Sequence, residues 1–329
     1  MRPSRGFAVL AVTAVAATGM IATPAAAKTD DPARYAWLKS CPRGDDSVPC
    51  GSWMLTLRSG RTVKLPDAQV HPRSAAGKVD RTASNSISIS DDGRFVNYFR
   101  GGELVVREVS SGKVRPLPGG TASPPKGIGQ SDVDTTLSPD GSAIVVDYYD
   151  AANRLPTLVI NLKTGETAKL PPKNSLTGFS PSGKYLLTSR FTDDNTTEFV
   201  VFDAEGDKTA SQIIPQIVSN NAPVALADDG NTVALVISSE SSGPRLRTYD
   251  LSSDTVSEAI GIGMPKGEAA QRLSWDTAGS LTLWTSRSDQ EGEPGSTVKR
   301  TLNAETGSTR KLDSFRLRKN AWVWWLPGE

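Results

Sequence analysis

The stretch Leu137-Ser138-Pro139-Asp140-Gly141, followed by the apolar run Ala143-Ile144-Val145-Val146, decides the fold of this chain, because it returns at a regular interval. Related turns stand at Ser90-Asp91-Asp92-Gly93, Ser180-Pro181-Ser182-Gly183, Ala227-Asp228-Asp229-Gly230 and, in degenerate form, Asp276-Thr277-Ala278-Gly279. Each is followed by a β-forming run such as Tyr185-Leu186-Leu187 or Val233-Ala234-Leu235-Val236. Gly93, Asp140, Gly141, Gly183, Gly230 and Gly279 are therefore structural turn residues: glycine supplies the positive φ of a tight turn, and Pro-Asp presets its entry. The glycines lie 48, 42, 47 and 49 residues apart, from Gly93 to Gly279.

Between these turns sits a second hairpin. Two short runs flank Arg58-Ser59-Gly60-Arg61, Ser110-Ser111-Gly112-Lys113, Lys163-Thr164-Gly165-Glu166, Glu205-Gly206-Asp207, Ser252-Ser253-Asp254 (where the glycine is missing) and Glu305-Thr306-Gly307-Ser308. A period in the forties with four short strands per unit is the pattern of a β-propeller, whose blades must stack to bury their faces. Five complete units lie between residues 86 and 312. The hairpin at 53–65 and the segment from Phe315 to Trp325 are each incomplete, and joining them makes a sixth blade. The expectation is an all-β propeller of six four-stranded blades, closed by pairing the N- and C-terminal strands, with seven blades as the alternative. Residues 53–329 form this single domain, and residues 28–52 are read as a lead-in, with a first strand at Tyr35-Ala36-Trp37-Leu38.

Repeats such as Phe179-Ser180-Pro181-Ser182-Gly183-Lys184-Tyr185-Leu186-Leu187 resemble those of TolB-type and WD40-like propellers. The Gly-His and Trp-Asp dipeptides of WD40 repeats do not recur, so the TolB side is the closer. The likeness implies a closed ring and, as one functional option, an accessory role in the bacterial envelope. TolB proteins carry a further N-terminal α/β domain, for which this chain has no room.

The N-terminus reads as an export signal over residues 1–27. Arg2 and Arg5 precede the apolar run Phe7 to Ile21, and Ala25-Ala26-Ala27 offers a cleavage site; an uncleaved anchor is the competing reading. The mature protein is expected to be secreted and monomeric, with no span after cleavage. A formal net charge of +1 predicts no general attraction to nucleic acid or anionic membranes. In that compartment the only two cysteines, Cys41 and Cys50, predict a disulfide.

The chemistry-bearing motifs are weak. His71, the single histidine, lies in the loop Gln69-Val70-His71-Pro72 without a nucleophile elbow, which argues against a Ser-His-Asp triad and leaves a zinc site short of ligands. Lys163-Thr164-Gly165 lacks the companion motifs of β-lactamases, and Arg43-Gly44-Asp45 is read as a chance match to integrin-binding peptides. Asp193-Asp194-Asn195 and Asp147-Tyr148-Tyr149-Asp150 do not follow a calcium-loop spacing and are read as solvated loops. Trp322-Val323-Trp324-Trp325 is read as core of the closing strand. No catalytic residue, metal or cofactor is assigned.

The repeat also predicts which face works. The short turns share one face of the disc, and the long connections at 66–85, 116–134, 147–156, 190–197, 237–244, 260–271 and 285–296 gather on the other. Function concentrates in variable loops on a rigid scaffold. That face is the expected site for an unidentified protein or peptide, with Asp147, Tyr148, Tyr149, Asp150, Arg190 and Arg287 as contacts. A hydrolase or lyase using carboxylates at the channel mouth is the enzymatic alternative.

Overall fold

Near-continuous apolar runs suit strands covered on both faces, and Ile144-Val145-Val146 and Val233-Ala234-Leu235-Val236 are buried throughout. The computed structural model describes residues 30–238, 243–288 and 294–329, and the export signal read at 1–27 lies outside them. Residues 31–329 build six antiparallel sheets, the blades of a propeller.

Blade 1 pairs Ala321–Trp325 with Ala33–Arg43, then Asp46–Leu57 and Thr62–Leu65, so its first strand comes from one end of the chain and three from the other. Blade 2 holds Ser88–Ile89, Phe95–Arg100, Glu103–Glu108 and Val114–Pro116. Blade 3 holds Val133–Leu137, Ala143–Tyr148, Thr157–Asn161 and Thr167–Leu170, and blade 4 Ser175–Phe179, Tyr185–Phe191, Thr197–Asp203 and Lys208–Ile213. Blade 5 runs Val224–Leu226, Thr232–Ile237 and Arg245–Asp250, with its outer strand split into Thr255–Val256 and Ile260–Gly261. Blade 6 is Ala269–Trp275, Leu281–Ser288, Pro294–Leu302 and Thr309–Arg316. The six-blade expectation holds, and the terminal strands close the ring.

Two boundaries differ from the expectations. The lead-in read over 28–52 is sheet from Ala33 onward: Trp37 pairs with Met54 and with Trp324, so the hairpin 33–57 supplies the strands that 53–65 lacked. In the loop expected at 285–296 the described residues are strand, and Arg287 still pairs with Ser296. In blade 5, Asp254 takes the left-handed place of the missing turn glycine at φ 53°, which a short polar side chain tolerates.

The seams between blades carry the core. Each burial cluster interleaves neighbouring sheets, as Phe99, Leu104 and Val106 of blade 2 do with Leu137, Ile144 and Ile160 of blade 3. Burying each such side chain contributes about 1.5–3 kcal/mol. The seam between blades 6 and 1 differs. Among the described residues its cluster holds four buried side chains, Tyr35, Trp284, Leu317 and Leu326, against which half-buried Trp37, Phe315 and Trp324 pack. Tyr35 stacks on Phe315 at 5.3 Å, and Arg34 grips Asp313 through two bonds of 2.9 and 3.1 Å.

The repeated turns also join blades. In three of them a fully buried serine, Ser90, Ser138 or Ser180, accepts a hydrogen bond from the backbone two residues past the glycine. All five glycines have φ between 67° and 80°. Gly141 in addition lies against the Phe95 ring of blade 2, so that a Cβ there would stand 2.2 Å from a ring carbon.

Candidate functional site

In an antiparallel four-stranded blade the first-to-second and third-to-fourth turns lie at one end of the strands. The second-to-third connections and the crossings between blades lie at the other. The tight turns and the long loops therefore occupy opposite faces.

On the long-loop face, blades 3 and 4 frame a pocket of about 520 Å³ lined by Asp134, Asp147, Tyr148, Tyr149, Asp150, Asn153, Lys173 and Asn174, among others. Four of the expected contacts thus meet in one place. Asp134 was missed: it lies in the first strand of blade 3, directly opposite Asp147. Strand register brings it there: Val133 and Thr135 on either side are buried, and Asp134 is the exposed residue between them.

Each carboxylate in the pocket has a distinct setting. Asp147 Oδ1 accepts the Thr157 hydroxyl at 2.6 Å and the Tyr148 N–H at 3.0 Å. Asp134 keeps solvent contact, but partial desolvation at the pocket wall, joined by the like charge of Asp147, raises its carboxyl above the usual range. Burial, with Asp147 second, pushes the Tyr148 phenol up to about 12. Asp150 is a loop organiser: it accepts from the backbone N–H groups of Arg154, Ala152 and Leu155, and these bonds hold its carboxyl low. Tyr149 is 76% exposed.

The other two expected contacts lie elsewhere on this face. Arg190 is in blade 4, paired across the strands with Glu198 at 2.7 Å. Arg287 is in blade 6 and donates to the Lys266 carbonyl at 3.0 Å.

The exposed apolar side chains are distributed unevenly. Among the described residues the large exposed ones are Tyr149, Phe191, Ile213, Ile217, Trp322 and Leu312. All but Leu312 belong to long loops, strand ends or the helix Gln216–Ser219 on the long-loop face. Tyr149 and Phe191, 76% and 81% exposed, belong to neighbouring blades.

The channel is differently built at the tight-turn end. A cavity of about 370 Å³ is lined there by Asp91, Pro139 and Pro181 from the turns and by Arg272, Gly328 and Glu329. Arg272 bonds both the Asp91 carboxylate and the Pro327 carbonyl. Burial alone would raise the Asp91 carboxyl, but Arg272, with Lys299 behind it, outweighs that and holds it low. Asp91 is thus an ion-pair partner across the ring as well as a turn residue. His71 lies near the Ala83 carbonyl, its Nδ1 3.2 Å away. Cys41 and Cys50 form the disulfide, their Cα atoms 5.9 Å apart. Among the described residues no helix is long and apolar enough to cross a membrane, and no group of three metal-ligating side chains converges.

No family model and no curated protein matches the chain. Solved structures do resemble it. A putative TolB from Agrobacterium tumefaciens is 14% identical at a TM-score of 0.45, the match covering 75% of this chain and 89% of that one. TolB from Acinetobacter baumannii is 13% identical at 0.45, covering 84% of this chain and 65% of its own. The β-propeller domain of the Trilobed protease from Pyrococcus furiosus is 10% identical at 0.46, over 86% of this chain and 82% of that one. At these identities the likeness concerns the fold, which the six sheets establish by themselves.

Proposed function

We propose that this chain is an exported, non-catalytic propeller that binds a protein or peptide partner through its long-loop face. The observation that carries the reading is that Tyr149, Phe191, Ile213, Ile217 and Trp322, all but one of the large exposed apolar side chains among the described residues, lie on that face, with Tyr149 and Phe191 on neighbouring blades. The signal-like residues 1–27 and the formed Cys41–Cys50 bond support export. A TolB-type envelope accessory is one form of this function, supported by the resemblance of the repeats.

The test is capture of partners from the source culture by the mature protein, compared with two variants. Tyr149→Ser/Phe191→Ser should lose the captured protein, and Glu166→Ala on the tight-turn face should keep it. The reverse pattern refutes the assignment.

A second reading has its own observation. Asp134 and Asp147 are cross-strand neighbours, and the Asp134 carboxyl is raised above the usual range, the kind of carboxylate pair that glycoside hydrolysis uses. Turnover in a screen of glycans, abolished by Asp134→Asn, would put this reading first.

A further inference from the structure

A cleft larger than the acidic pocket lies across the ring from it on the long-loop face, at the seam of blades 6 and 1. It measures about 870 Å³ and is walled by Lys39, Ser40, Pro42 and Ser47 on one side and by Arg316 through Trp324 on the other. Lys39, Arg316, Arg318 and Lys319 are all exposed, and none has a carboxylate within salt-bridge distance among the described residues. Four uncompensated cations around one concavity make a local positive field in a chain of nearly neutral net charge. Trp322 is exposed at the rim, and Trp324 is half-buried behind it.

We propose that this cleft receives an acidic, extended segment of a protein partner. Tryptophan and arginine are the side chains that anchor protein interfaces, and the surplus positive charge selects an anionic occupant. Open ring faces, which sugar stacking would need, are scarce here: Trp324 packs into the seam and the Trp37 ring is covered by the Arg318 guanidinium at 5.4 Å. Simple strand addition to the hairpin is blunted, because beyond Ser40, whose N–H is bonded to the Asn320 carbonyl, the next residues include Pro42, which has no donor. Recognition therefore falls to the basic side chains. The cleft adds the partner's charge to the reading above and rests on it only for the face used.

The experiment titrates the mature protein with a Glu/Asp-rich dodecapeptide, its Gln/Asn isostere and polygalacturonate, following tryptophan fluorescence. The acidic peptide should bind saturably and the isostere should not. Binding should weaken by about tenfold in Lys39→Glu/Lys319→Glu and again in Arg316→Glu/Arg318→Glu, variants confined to exposed positions, with thermal unfolding unchanged. Raising salt from about 50 to about 300 mM should weaken it as well. Tyr149→Ser/Phe191→Ser should bind the peptide as the parent does, which separates failure of the cleft from failure of the apolar face. Equal binding of the isostere, tighter binding of polygalacturonate, or reversal variants within about twofold of the parent overturn the proposal.

Discussion

Replacing Gly141 by alanine tests how the repeated turn holds the ring. The residue has φ 67°, where an L-side chain costs about 1–2 kcal/mol. The added methyl would also stand 2.2, 2.6 and 2.9 Å from three carbons of Phe95, against the ~3.5–4.0 Å of a normal carbon contact. Phe95 is only half-buried, so its ring swings aside at the expense of the seam between blades 2 and 3, an overpacking cost of about 1–3 kcal/mol. The total is a loss of about 2–5 kcal/mol. Gly279 provides the control: its φ is 80° and nothing lies within 4 Å of the point a Cβ would occupy, so Gly279→Ala should lose only about 1–2 kcal/mol. Urea unfolding of both variants, of Phe95→Ala and of Gly141→Ala/Phe95→Ala, measures the costs and their coupling. The double variant should recover about 1–3 kcal/mol relative to additivity. Equal costs at positions 141 and 279, or no coupling to Phe95, refute the inter-blade role of the turn.

Three further outcomes follow from the same geometry. Glu268 accepts two bonds from Arg300 and the Thr285 hydroxyl, all nearly buried, so Glu268→Ala should destabilise by about 3–5 kcal/mol in denaturant titrations by stranding the arginine. The raised Asp134 carboxyl binds its proton more tightly folded than unfolded, so its ionisation costs stability as pH rises above about 4. Asp134→Asn should accordingly melt higher than the parent at neutral pH, with the gain vanishing in acid; a constant difference across pH contradicts the assignment. Cys41→Ser/Cys50→Ser removes the clamp from a hairpin tip, which by loop length is worth about 2–3 kcal/mol. Amide exchange should quicken most around residues 40–50, and the global unfolding free energy should fall by about that amount; an unchanged unfolding midpoint contradicts the estimate.

The blade count and the closure were legible because a propeller repeats its punctuation: glycine is needed wherever φ turns positive, and Ser-Pro-Asp-Gly therefore recurs whatever lies between. The turn at Asp254 was legible even without its glycine, whereas the pattern misled where a strand ran past its repeat, as in Ala33–Arg43 and Leu281–Ser288. The acidic pocket was half legible. Asp147 to Asp150 stand together in the chain, whereas Asp134 joins them only through strand register and Lys173 only through the crossing into blade 4. Arg190 and Arg287 were placed on the correct face but not in the pocket, since sequence order does not say how far apart two blades stand around a ring.

The chain's sequence alone determined what local chemistry dictates: turns, strand periodicity, the disulfide and the division into a tight-turn face and a loop face. Only the tertiary structure decided which side chains face one another across a seam. Phe95 against Gly141, Asp134 opposite Asp147, Arg272 on Asp91 and the basic cleft at the closing seam each join residues from different strands or blades. Such pairings depend on strand register and on the closure of the ring, and these are properties of the packed whole.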